Sequence, residues 1–397
     1  MPKSEFFARV FARPITRSIS LYVAAFAIGL LAGHGIVVLL PTAFAFVALM
    51  PLARITRDRW LVPLGYYGAF LVTMFPGAAV FFGHSFDPFG ITLLWLFFSV
   101  LFAAPWALLL NSTTLRLRWA VPFVLLIESI PPLGLFAVGN PLHATGVMLP
   151  HTGWYGLAAV LILSSFAATH PRYALPSIAA LTIFSTLVVS PAPVPKSWVA
   201  IDTRLGGQGL DRREMLRDYQ TALYIQQTAL DSKAKVIIFP EGLVEWNTAT
   251  EAFWRPTLTT LAAQHRTMLL GATVLIPGPP GNYRNTAVLR GATNAIFDQR
   301  VPIPVTMWHP LGGGGVPINA FGKGTVLVGG QRAGIFICYE QLLVWTFIRA
   351  LEERPTVLVG IANDYWAAKT YFPKIQNANM VAWGRLFNLP VLTAVNQ

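Results

Sequence analysis

Apolar residues in the first half of the chain gather in long runs separated by short polar loops. The runs cover approximately residues 19–34, 36–53, 60–83, 90–110, 119–138, 153–169 and 173–190. About 20 apolar residues cross the hydrocarbon core of a bilayer as a helix, and most of these runs reach that length. The pattern predicts seven spanning helices. The first two runs are short and split by Gly33-His34-Gly35, so a tight helical hairpin and one long kinked span both fit.

The second half has a different pattern. Short β-rich runs at 198–203, 235–239, 268–275, 286–289, 295–297, 325–328, 333–338, 356–361 and 390–395 alternate with stretches of helical composition at 211–230, 251–265, 341–353 and 373–387. Strand–helix alternation with doubled strands in the middle predicts a layered α/β domain. The change of pattern falls at Pro191-Ala-Pro-Val-Pro195, a stiff extended linker by composition. The expected domains are therefore 1–195, in the membrane, and 196–397, in water.

Composition sharpens this division. Of the 397 residues, 54% are hydrophobic and 12% charged, against roughly 45–50% and 25% in an ordinary soluble domain. A fully soluble or a disordered chain is excluded on these grounds. Ten Lys/Arg and four Asp/Glu lie in residues 1–195, against nineteen and thirteen in 196–397. The net charge of +12 thus divides equally between the halves. All ten basic residues of the first half sit on alternate loops: Lys3, Arg9, Arg13 and Arg17, then Arg54, Arg57 and Arg59, then Arg116 and Arg118, then Arg172. By the positive-inside rule these loops and the N-terminus are cytoplasmic. Seven spans then carry the second half across the membrane, into the periplasm of a Gram-negative cell. The basic leader also fits a signal peptide, but no small-residue cleavage pattern follows it, which favours an uncleaved first span. The charge excess of the second half suits a domain beside anionic lipid and requires no nucleic acid.

Candidate chemistry is sparse. Cys338 is the only cysteine, which excludes intramolecular disulfides and Cys-cluster metal sites. No phosphate-binding loop, zinc-protease or serine-hydrolase motif is present, and no metal or cofactor is implied. Three positions carry two readings each. Glu128, within an apolar run and just before Pro131-Pro132, faces either a functional cavity that lipid enters or a neighbouring helix through a structural hydrogen bond. Glu241, in Phe239-Pro240-Glu241-Gly242 at the end of a buried strand, is either a general base or a solvated strand-end carboxylate. Cys338 ends the strand Gly334-Ile-Phe-Ile and precedes Tyr339-Glu340. It is either a nucleophile on a strand-to-helix turn or a small core residue. The loop 301–324, with Trp308, His309, Gly312–Gly315 and Pro317, is either a lipid-facing lid or an ordered surface loop.

Taken together, these motifs resemble the nitrilase superfamily. Pro-Glu follows one strand, Ile-Cys-Tyr-Glu follows another 97 residues later, and Asn363-Asp364 follows a third. With the polytopic half, the chain looks like apolipoprotein N-acyltransferase. Further matches are Asn285, Gln376, Arg385, Ala394-Val-Asn396 and the position of Glu128. The run Gln299-Arg-Val-Pro302 with Met307-Trp308 is similar to TraB-type conjugal transfer proteins of Ti and symbiotic plasmids. The resemblance implies an α-helical polytopic membrane domain followed by an αββα nitrilase-like sandwich. It implies Cys338 as nucleophile, Glu241 as general base and Glu340 as a further carboxylate. It also implies that Tyr339, Asn363, Trp308 and Glu128 contact substrate. The implied reaction passes an acyl group through a Cys thioester to an amine or water.

The sequence departs from the family at the catalytic lysine. Gln299, in Phe297-Asp298-Gln299 with Pro304 five positions on, stands in its place, and Met307 stands where the family has a glutamate. Arg300 is adjacent, but neighbouring strand residues face opposite ways, so it replaces the lysine only through a bulge or register shift. Lys323 is a second candidate cation, or else a solvated loop lysine. Family members also continue beyond the point matching Gln397, into further strands and a last span. Three functions follow as expectations. One is a membrane-bound acyltransferase or amidase acting on a lipid, lipoprotein or membrane peptide. Another is a catalytically weakened relative serving the conjugation machinery by binding or assembly. Transport fits least, because the spans carry few ionisable residues and no repeat pairs two halves.

Overall fold

A computed structural model describes residues 14–110, 114–206, 212–277, 282–309 and 314–397. Lys3, Arg9 and Arg13 of the N-terminal basic cluster, Asp211, and Gly312 and Gly313 of the glycine run lie outside the described residues. The chain forms two compact units, Met1–Ser190 with Thr370–Phe387, and Pro191–Lys369 with Asn388–Gln397.

The first unit is helical. Helices Ile15–Ala32 and Pro88–Leu109 are long and apolar enough to cross a membrane. Two bent pairs, Thr56–Val72 with Phe75–Phe82 and Pro141–Met148 with Gly153–Thr169, raise that number to four if each counts as one span. The seven apolar runs therefore do not become seven uninterrupted spans among the described residues. The run 36–53 folds as short helical turns around Pro41 and Pro51, since proline cannot donate within a helix. The run 119–138 ends its helix at Ile127, ahead of Pro131-Pro132. Helices Pro14–Ala32 and Thr56–Val72 pack closely because small residues face each other. A Cβ on Gly29 would lie 2.3 Å from the Tyr66 carbonyl oxygen.

Helix Phe372–Phe387 belongs to this unit, although its place between two strands assigns it by sequence to the second half. The Arg385 guanidinium donates to the carbonyls of Gly146 (3.4 Å), Val189 (3.2 Å) and Ser185 (3.0 Å). Trp383 Nε1 meets His143 Nδ1 at 2.9 Å. A Cβ on Gly146 would lie 1.8 Å from the Ala382 carbonyl oxygen. These contacts seat the helix among short turns that the apolar pattern alone does not reveal.

The second unit is a two-sheet sandwich. Strands β1 (Trp198–Ala200), β2 (Val236–Ile238), β4 (Thr267–Leu275), β5 (Tyr283–Gly291) and β6 (Ala295–Asp298) lie in that order, with β3 (Val244–Glu245) also on β4. The other sheet runs β10 (Val391–Asn396), β9 (Val357–Asn363), β8 (Gln331–Ile337), β7 (Thr325–Val328). Its central pairs are parallel, as their continuous apolar sequences require. One core joins the sheets through Ile238, Leu269, Ala287, Ile335, Ile337 and Val359. Helices Arg212–Asp231 and Thr248–Ala263 cover the first sheet through Ile225, Trp254 and Leu261. Helix Val344–Glu352 covers the second, where Phe347 stacks on Phe336 at 4.4 Å. The layers are therefore α, β, β, α, as expected.

Candidate active site

Glu241 stands where β2 hands the chain to a tight turn. Phe239 N–H donates to the Leu269 carbonyl (2.8 Å), Gly271 N–H to the Pro240 carbonyl (3.0 Å), and Leu243 N–H to the Gly271 carbonyl (3.0 Å). The turn thereby lies flat on β4. Only glycine fits there, since a Cβ on Gly271 would be 2.2 Å from the Glu241 Cα. Gly242 completes the turn at φ +61°, a conformation that favours glycine. The turn points the Glu241 side chain inward, where it is 6% exposed.

Three groups hold that carboxylate. Its Oε1 accepts from Asn285 Nδ2 on β5 at 2.5 Å. Its Oε2 accepts from the Asn363 backbone N–H at the end of β9, at 2.9 Å. The Cys338 thiol also donates to it. Burial nonetheless outweighs these bonds and raises the Glu241 pKa to about 7. The carboxyl group can thus take and return a proton near neutrality.

Cys338 follows the last residue of β8 and opens a short 3-10 turn, Cys338–Leu342. Its φ is +50°, a strained value for a residue with a Cβ. The Tyr339 backbone N–H bonds to the sulfur, but burial and the carboxyl charges of Glu241 and Asp364 push the thiol well above its ordinary range. The resting form is therefore a thiol hydrogen-bonded to a base.

The strained turn is tied down by an ion pair on the other face of the chain. Glu340 accepts on Oε1 from the Arg300 backbone N–H (2.8 Å) and side-chain Nε (3.0 Å), and on Oε2 from the Ile337 N–H (2.9 Å). Arg300 also donates to the carbonyls of Thr346 and Ile335, both at 3.2 Å, between Phe297 and Phe336. Expected among the reacting groups, Glu340 and Arg300 instead spend their polar atoms on each other and on the backbone. Strand alternation explains this. Gln299 faces the Cys338 side, so Arg300 faces away.

Gln299 does join the cluster. Its Oε1 accepts from Asn285 Nδ2 (3.0 Å), and its Nε2 donates to the Ile337 carbonyl (3.0 Å), one residue before Cys338. Asn285 therefore bridges Glu241 to Gln299, a role that its position in Tyr283-Arg-Asn-Thr286 does not reveal.

The remaining candidates scatter. Tyr339 is buried, and burial pushes its phenol upward. Asn363 contributes its backbone to Glu241 and its side-chain oxygen to Asn396 Nδ2 at 2.8 Å. Lys323 is exposed and lines a cavity of about 1180 Å³ together with Arg284, Asn285, Gln299 and Arg332. Trp308, half-buried, sits in a loop bridged to Pro304 and Gly315. Glu128 lies in the helical unit, 1% exposed, where it accepts from the Tyr67 hydroxyl and Trp106 Nε1, both at 2.7 Å. Of its two readings, that geometry matches the structural hydrogen bond. Asp364, part of the Asn-Asp motif, is a further carboxyl at this site.

The chain is 29% identical over 396 residues to the conjugal transfer protein TraB of Agrobacterium fabrum, covering 95% of this chain and 92% of that protein. It is 27% identical over 388 residues to the probable conjugal transfer protein TraB of Sinorhizobium fredii, covering 95% and 97%. The chain resembles TraB proteins along nearly its whole length. No family model matches it. Among solved structures, a carbon-nitrogen hydrolase from Helicobacter pylori is similar at 11% identity and TM-score 0.35, over 50% of this chain and 72% of that one. An amidase from Nesterenkonia sp. is similar at 12% and 0.35, over 53% and 79%.

The raised pKa has a consequence for stability. The unfolded chain loses the Glu241 proton near the ordinary value of 4.5, the folded chain near 7. Between these pH values the folded state binds more protons, so stability falls as pH rises through that window. Glu241→Gln is expected to relieve up to about 3 kcal/mol at pH 8 and nothing at pH 4. Thermal unfolding in detergent at the two pH values checks this. An equal difference from wild type at both contradicts it.

Proposed function

We propose that the second unit is a nitrilase-type acyltransferase or amidase working through a thioester on Cys338. The observation that carries this reading is the Cys338 thiol bonded to a buried Glu241 whose pKa lies near neutrality. The thiol proton passes to Glu241 as sulfur attacks an acyl carbonyl. Collapse of the tetrahedral intermediate returns that proton to the departing amine or alcohol. An acceptor amine or water then enters, gives its proton to Glu241 and bonds to the acyl carbon; the C–S bond breaks, and the departing sulfur takes that proton back as the Cys338 thiol. The long apolar helices favour a membrane substrate, such as a phospholipid, a lipoprotein or a membrane-embedded peptide. The likeness to TraB conjugal transfer proteins supports a setting in conjugation.

Gln299 favours a second reading. The position that the resemblance gives to a lysine holds an uncharged amide, hydrogen-bonded to Asn285 and to the Ile337 carbonyl. Loss of one oxyanion donor costs a serine hydrolase roughly 10²–10³ in rate. A chain weakened to that extent would serve conjugation as a binding or assembly factor.

Intact-mass measurement after incubation with membrane lipids separates the two. The acyltransferase reading expects an acyl adduct on wild type that is lost in Cys338→Ala, together with loss of plasmid transfer. No adduct, with transfer intact in Cys338→Ala, leaves the assembly factor. The basic loops further support an inner-membrane protein with a cytoplasmic N-terminus and residues 196–397 in the periplasm. Alkaline phosphatase fused after Gln397 is expected to be active. An inactive fusion, with β-galactosidase active at the same position, reverses that orientation.

A further inference from the structure

Asp364 is fully buried, and neither oxygen of its carboxyl has a hydrogen-bond partner among the described residues. The backbone around it is fixed. Its N–H donates to the Asn396 carbonyl on β10, and its carbonyl accepts from the Ala367 N–H, both at 2.8 Å. The preceding residue, Asn363, gives its N–H to Glu241. The unpartnered group therefore sits beside the carboxylate that faces the Cys338 thiol, within electrostatic reach of both. The charged groups around it offer no relief. Glu241, which acts on it, is another carboxyl, and Arg217 acts on the neighbouring Tyr365 and Asp218. An ionised carboxylate without a donor, beside a second carboxylate and away from water, is strongly disfavoured.

We propose that Asp364 is the resident acid of the site, a neutral carboxylic acid whose O–H donates a hydrogen bond to the acyl oxygen of a substrate bound at Cys338. This rests on the acyl-transfer reading above. As the Sγ–C bond forms, the thiol proton goes to Glu241 and the carbonyl π pair moves onto oxygen. The Asp364 O–H binds that oxygen and keeps its proton. Collapse restores the carbonyl, breaks the bond to the leaving group, and sends it away with the proton from Glu241. A carboxylic acid held neutral in an apolar site is a known oxyanion donor. The ligand is the carbonyl of an ester or amide, and the donor is uncharged.

Two readouts on the full-length protein in detergent test this. The first is the infrared difference spectrum between wild type and Asp364→Asn at pH 7. It is expected to show loss of a protonated carboxyl stretch that shifts in D₂O. Loss of carboxylate bands instead overturns the proposal. The second is the rate of thioester formation on Cys338 from p-nitrophenyl butyrate, followed by intact mass. Asp364→Ala, which removes the donor, is expected to slow it about 10²–10³-fold. Asp364→Asn, which keeps an N–H donor, is expected to retain much of the rate. Equal rates in Asn and Ala overturn the donor role while leaving the acyl-transfer reading intact. A wild type that shows the protonated band but forms no thioester overturns the acyl-transfer reading, and the donor role with it.

Discussion

The hydrogen bond between the Cys338 thiol and the Glu241 carboxylate is the constraint around which the second unit is arranged. It joins residues 97 apart, on different sheets. Neither sheet alone could set that distance, so the sandwich core that packs Ile238 and Leu269 against Ile335 and Ile337 fixes it. The same demand explains the glycine at 271, the amide bridge of Asn285 and the backbone donor at Asn363. Each removes a freedom that would let the carboxylate turn away from sulfur.

Charge decides what kind of site this is. The Arg300–Glu340 pair is buried and self-contained, 2% and 0% exposed. It braces the turn that holds Cys338 at a positive φ and lends no positive charge to the reacting groups. What remains is a thiol, two carboxyl groups and neutral amides. Such a cluster cannot hold several negative charges at once, so the proton that the thiol gives up must stay within it. Glu241, with a pKa near neutrality, is suited to hold that proton. Burial of that carboxyl destabilises the fold as pH rises from about 4.5 to about 7.

Much of the second unit is legible in its sequence because buried strands are continuous apolar runs. The runs at 235–239, 325–328 and 333–338 become β2, β7 and β8 within two residues. The turn bearing Glu241 and the strand-end cysteine are visible for the same reason. β3, two residues long, carries no periodicity to read. Strand alternation also predicts that Arg300 turns away from the side of Gln299. Motif resemblance instead makes Glu340 a functional carboxylate. Only coordinates reveal that its oxygens are spent on Arg300 and on the N–H of Ile337. Long-range bridges such as Asn285 to Glu241 leave no local trace. In the helical unit the apolar runs locate the helices, but prolines at 41 and 51 break one run into turns, and Arg385 draws a helix from the second half into the first unit.

The pH dependence of iodoacetamide alkylation tests the Cys338–Glu241 pair most directly. Cys338 is the only cysteine, so the label reports on nothing else. Wild-type reactivity is expected to rise with a midpoint near pH 7, as Glu241 becomes able to accept the thiol proton. Glu241→Gln should remove that rise and leave the thiol slow to react through neutral pH. Superimposable profiles for the two proteins would contradict the account.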